Sequence, residues 1–236
     1  MTGRTAPPLL LLVLGVVTLQ LVRTQAHLQY VKPGLGPWLV VTGLLLALVG
    51  AAGVFAAHRA EPGGPAPSQV GWLLVVPVGL LVLVSPPALG SYGLAGRATP
   101  VAAPVEALGS LPPPRDGAVE LTLREYSRRV LFEPAGLDSA RLRLLGFAVP
   151  PTPAEREQHG DGFYLTRIAL NCCAADGQAA RVFVRTDAAP AADTWWSVEG
   201  RTAAQTAPPR SDGQADVVLE GDRLQEVPAP VNPYTF

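Results

Sequence analysis

Residues 35–57 form a run of 23 without a single charge, most of them Leu, Val, Gly and Ala. A helix needs about 20 apolar residues to cross the hydrocarbon core of a bilayer, so this run predicts a membrane span. Nothing else limits the fold as strongly, because in lipid every backbone polar group must be satisfied within the segment.

Two neighbouring stretches enlarge the apolar block. Residues 70–93 are also uncharged, with Trp72 placed for an interface and prolines at Pro77, Pro86 and Pro87. They predict a span over about 70–89, kinked at Pro77 and ended by the double proline. Residues 9–22 admit two readings. Arg4 before them and Thr24, Gln25 and Ala26 after them fit a signal peptide, whereas the 17 residues 6–22 fit a short first span. Arg23 lies inside the would-be cleavage region, which favours a retained span. The expectation is an α-helical membrane anchor over residues 1–93 with two or three spans, about 6–22, 35–57 and 70–89. Basic residues divide almost evenly between the two sides, so orientation rests on the first segment. A cytoplasmic N-terminus followed by three spans makes this a multi-pass cell-membrane protein with an extracytoplasmic C-terminal domain.

Charge divides the chain at the same place. Residues 1–93 carry four basic residues (Arg4, Arg23, Lys32, Arg59) and one acid, Glu61. Residues 94–236 carry fourteen arginines and eighteen acids. This acidic half has no basic stripe, which argues against nucleic acid as a partner, since phosphate binding needs clustered Lys and Arg. Membrane lipid is the partner that the first half implies.

Residues 94–118 are rich in Ala, Pro and Gly and read as an extended linker. The remainder, 119–236, reads as one small domain. Thr122 followed by Glu125 forms a capping-box signal, and Leu123, Tyr126, Val130 and Leu131 recur near helical spacing, so one short helix is expected there. Strands are predicted over 141–149, 162–172, 180–185, 194–200 and 217–225, with a polar proline-containing loop holding His159 between the first two. Five short strands without βαβ alternation predict a mostly-β, OB-like barrel.

Both cysteines stand side by side, Cys172 and Cys173, with Asp176 three residues on. Consecutive side chains on a strand point to opposite faces, so the thiols can cooperate only on a turn or bulge. There they offer a soft-metal or arsenic(III) site with Asp176 and His159 as further ligands, or a vicinal disulfide. The competing reading is structural, because free Cys packs well as a small hydrophobe. Two cysteines are too few for a closed zinc site. No certain cofactor follows; a soft metal ion is the candidate.

Arg167 within an apolar strand is expected to pair with an acid across the sheet, Glu199 or Asp193, with ligand support as the alternative. Trp195 and Trp196 are expected to divide between core and surface, the outward indole serving a partner contact. There is no GxSxG, P-loop or HExxH pattern, and the three histidines are His27, His58 and His159. The reading is of a protein that is not an enzyme.

Several of these residues together resemble the YcgQ-like family of bacterial membrane proteins. They are Gly146-Phe147-Ala148-Val149, Gly162-Phe163-Tyr164-Leu165 with Arg167, and Cys172-Cys173-Ala174-Ala175-Asp176. Further matches are Asp193-Thr194-Trp195, Val198-Glu199-Gly200, Pro230-Val231-Asn232-Pro233-Tyr234 and Tyr30-Val31-Lys32-Pro33. The resemblance implies N-terminal spans, a C-terminal β domain and a multi-span permease as partner, hence an accessory subunit of a transport system. An independent soft-metal or thiol-redox binding module is the alternative. The chain departs from the family in lacking a His-rich stretch between spans, which weakens a borrowed metal-handling role.

Overall fold

The computed structural model describes residues 2–59, 79, 87–94, 108–203 and 217–236. The span expected over 70–89 falls almost wholly outside the described residues, as does most of the linker. The chain divides into two compact units, Met1–Ala88 and Leu89–Phe236.

In the first unit, α1 (Thr2–Arg23) and α2 (Gly36–Arg59) form a helical hairpin. Their stretches Thr5–Arg23 and Pro33–Arg59 are long and apolar enough to cross a membrane. Leu19 meets Gly43, Gly15 meets Ala47, Leu12 meets Gly50 and Pro8 meets Gly53, so the helices run antiparallel. The seam is built on small residues. A methyl group at Gly15 would sit 2.6 Å from Gly43 O, and one at Gly50 would collide with Leu12 N. Between helices in lipid no hydrophobic force remains, and close backbone approach across small residues takes its place. The outward faces suit the same solvent: Trp38, Leu45, Leu48 and Phe55 are all well exposed.

In the second unit, α3 (Leu123–Phe132) and α4 (Pro153–His159) accompany seven strands. These are β1 (Val119–Glu120), β2 (Leu142–Val149), β3 (Gly162–Ala169), β4 (Gln178–Arg185), β5 (Trp195–Thr202), β6 (Val218–Val227) and β7 (Tyr234–Thr235). Five of them close a ring in the order β2-β5-β6-β4-β3 and back to β2. Every joint is antiparallel except β4 with β6, where Phe183 lies beside Val218. β1 adds in parallel to β2, and β7 in parallel to β3.

Alternating side chains fill the ring. Leu142, Leu144 and Ala148 of β2 meet Phe163 and Leu165 of β3, Val182 and Val184 of β4, Val198 of β5 and Leu219 of β6. Helix α3 adds Leu123 and Tyr126 to this core, and the Tyr126 hydroxyl donates to Val218 O at 2.9 Å. Thr122 caps the helix by accepting from Glu125 N, as the Thr-x-x-Glu spacing predicts. A register shift between Glu199 and Gly200 bends β5, and a side chain at Gly200 would collide with Glu220 O.

Four elements differ from the sequence expectation. The segment holding His159 is the helix α4, opened by a full capping box between Thr152 and Glu155 with Pro153 in the first turn, where proline needs no N–H partner. The second ring strand stops at Ala169 instead of reaching Cys172. The short strands β1 and β7 are additional.

Candidate functional site

Strand β3 ends because the chain turns. Leu170 N still donates to Thr235 O beyond the end of β3, but the next two amides turn to a side chain. The Asp176 carboxylate accepts from Asn171 N at 3.0 Å and from Cys172 N at 2.7 Å. A 3-10 turn over Ala174–Asp176 closes the loop, with Asp176 N donating to Cys173 O. An aspartate that caps backbone amides a few residues earlier is a local turn device, and here it lifts the thiols out of the strand pleat.

Out of the pleat, the two thiols no longer have to oppose each other. Cys172 Sγ lies 3.5 Å from Cys173 Sγ, and both cysteines are free. Cys172 is exposed and Cys173 half-buried, so the loop presents the pair to solvent. The two Sγ atoms and an Asp176 oxygen lie within 4.8 Å of one another. The geometry therefore supplies two soft donors and one hard donor on a single loop.

The charges on the loop are coupled. The Cys172 thiol beside it and the backbone amides it accepts from hold the Asp176 carboxyl below its usual range. The same carboxylate, with the Cys173 thiol beside it, pushes the Cys172 thiol up to about 11. Cys172 is exposed and Asp176 half-buried, so this is a local effect of neighbouring groups on titration. At neutral pH Cys172 is a protonated thiol, its Sγ–H donating to Cys173 Sγ, unlike the activated thiolate of a nucleophilic cysteine.

The other expected site residues fall elsewhere. His159 is buried at the end of α4, its ring 4.9 Å from that of Phe183 and 6.3 Å from that of Tyr164. It precedes β3 whereas the cysteines follow it, and eight residues at about 3.3 Å each separate the two ends by about 25 Å. His159 is therefore not a ligand on this loop. Trp196 packs against the core and donates its indole N–H to Thr194 Oγ1 at 2.7 Å. Trp195 stands edge-on to Phe147 at 5.7 Å. Both indoles are half-buried and engaged within the domain.

Arg167 has neither of the acids expected for it. Glu199 is held by Arg143 at 2.8 Å and Arg141 at 3.3 Å, which keep its carboxyl below the usual range. Asp193 accepts from Ser91 N and Ser91 Oγ. Arg167 instead donates Nη2 to Asn232 O at 3.0 Å and Tyr234 O at 3.5 Å, and lies over the Trp195 ring at 5.2 Å. The Glu199–Arg141–Arg143 group was not expected; its only sequence signal is the alternation of Arg141 and Arg143 on one strand face.

No family model matches the chain, and no curated protein and no solved structure matches it. The resemblance to YcgQ-like proteins rests on the residues quoted for it.

Proposed function

We propose that the chain is a membrane-anchored binding module whose Cys172–Cys173–Asp176 loop takes a soft metal ion or a trivalent metalloid. The observation that carries this reading is the convergence of three donor atoms within 4.8 Å on an accessible loop. Two thiolates suit soft, thiophilic centres, and the carboxylate completes a third position. The exposure of Cys172 speaks against thiols that merely pack. A vicinal disulfide is the competing oxidised state of the same pair.

The surrounding architecture is proposed as an OB-like barrel on a multi-pass anchor, with the barrel extracytoplasmic. A closed five-stranded ring whose third and fifth strands are its one parallel joint has the Greek-key connectivity of such barrels. A second reading, an accessory subunit of a permease, draws on the two membrane-length helices and the family resemblance. It expects the chain, extracted in mild non-ionic detergent, to elute in fixed stoichiometry with a multi-span partner. Elution as a lone species would remove it.

Titration of the reduced full chain in detergent with copper(I) and with arsenite tests the main reading. The chain has two cysteines, so any thiolate absorption band reports on this pair. One equivalent should bind, with binding lost in Cys172→Ser and Cys173→Ser and weakened about tenfold or more in Asp176→Asn. Thiols that react freely with alkylating reagents yet bind neither probe would sink the proposal.

A further inference from the structure

A second site follows from an unbalanced charge in a cleft away from the thiol loop. Strands β2 and β3 pair only over 147–149 and 164–166, and before Gly146 they part. A cleft of about 570 Å³ lies there, between the start of α3 and strands β2, β3 and β7. That is the size of an ordinary small-molecule site. Leu145, Val227 and Pro228 give it an aliphatic wall, Ser197 adds a hydroxyl, and among the described residues no aromatic side chain lines it.

Four charged groups among the described residues reach this cleft, and three are neutralised by neighbours. Glu120 pairs with Arg143 at 3.1 Å, Arg143 also with Glu199 at 2.8 Å, and Glu125 with Arg129 at 2.9 Å. The fourth, Arg167, is paired with no carboxylate among the described residues. Two carbonyls occupy its Nη2, and Nη1 has no protein partner there. Burial pulls its pKa down, the mark of a cation that has lost water without gaining a counter-ion. A half-buried guanidinium without an anion leaves favourable electrostatic energy for a ligand to supply.

We infer that this cleft binds a small aliphatic carboxylate, Arg167 taking the carboxylate and Leu145, Val227 and Pro228 the alkyl chain. The planar guanidinium fork matches a carboxylate, and the wall without aromatic groups suits a flexible chain better than a ring. The site shares no residue with the thiol loop and stands or falls independently of it.

The probe is a diazirine-bearing octanoate, photolysed with the full chain in nanodiscs and located by peptide mass spectrometry. Labels should fall on peptides holding Leu145 or Val227, and octanoate should compete where octanol does not. Arg167→Gln should cut that labelling about tenfold or more, the usual worth of a charge-assisted hydrogen bond. Because Arg167 also ties down Asn232 and Tyr234, Leu145→Glu provides a variant that leaves those bonds intact. It should reduce labelling as strongly, and more than Leu145→Gln, which roughens the same apolar wall without adding a charge. Equal competition by octanol, or cleft labelling unchanged in Leu145→Glu, would overturn the inference.

Discussion

At the scale of single residues, Asp176 does two jobs that pull apart. Its carboxylate builds the loop by accepting from Asn171 N and Cys172 N, and it also holds the proton on Cys172. The thiol stands at about 11 against an ordinary 9.0, so its thiolate is scarce near neutrality and grows as pH rises towards 11. Asp176→Asn should therefore bring the thiol down and speed alkylation at pH 8. Only the part of the shift due to the carboxylate is lost, and a less basic thiolate is a weaker nucleophile, which leaves a gain of roughly threefold to tenfold. The rate of iodoacetamide modification at Cys172 against pH measures this; an unchanged profile would mean that Asp176 only shapes the loop. Ion binding must displace the same proton, so uptake of copper(I) should strengthen as pH rises from 6 to 9. The cooperation of adjacent thiols was legible as a condition, that they leave the strand. The partner of Arg167 was not, because it is a pair of carbonyls more than sixty residues away.

At the scale of elements, α3 is held by Tyr126. Its hydroxyl donates to Val218 O, which also accepts from Ala203 N at 3.2 Å. Tyr126→Phe leaves that carbonyl satisfied and should cost only about 1 kcal/mol, whereas Tyr126→Ala empties a core site and should cost about 3–5 kcal/mol. Denaturant midpoints of the two variants separate these terms. Burial also pushes the Tyr126 phenol up to about 12. The parent should therefore lose stability as pH rises from 10 to 12, through a slope that Tyr126→Phe lacks. In the helical hairpin, Gly50→Val should lower the thermal midpoint in detergent, since its side chain would collide with Leu12, while Leu48→Val on the exposed face should not. The ring strands and α3 were legible because alternation and capping are local signals. Helix α4 carries the same Thr-x-x-Glu signal at Thr152 and Glu155, yet the prolines around it read as loop. Strands β1 and β7 span two residues each, too short for any period, and exist only through long-range pairing.

At the scale of the whole molecule, two helices long enough to cross a membrane make the side taken by the β domain a testable consequence of the proposed anchor. Sequence composition alone marks the division into an apolar and an acidic half, whereas closure of the ring depends on pairings such as Phe183 beside Val218 that no local pattern encodes. If both helices cross a membrane, the hairpin returns the chain after Arg59 to the side of its N-terminus, because α1 and α2 run antiparallel. A span over 70–89 would then carry the β domain to the opposite side; without it, the domain shares the side of the N-terminus. Cys172 is exposed and the chain has no cysteine beyond this pair, so the native thiols report the answer without engineering. A membrane-impermeant maleimide applied to intact cells at pH 8.5, where the suppressed thiolate is less limiting, should label the chain as completely as in lysed cells. Labelling that appears only after lysis would leave the β domain in the cytoplasm. The loop would then work in a reducing compartment, where a vicinal disulfide does not persist and the thiol form is the resting state.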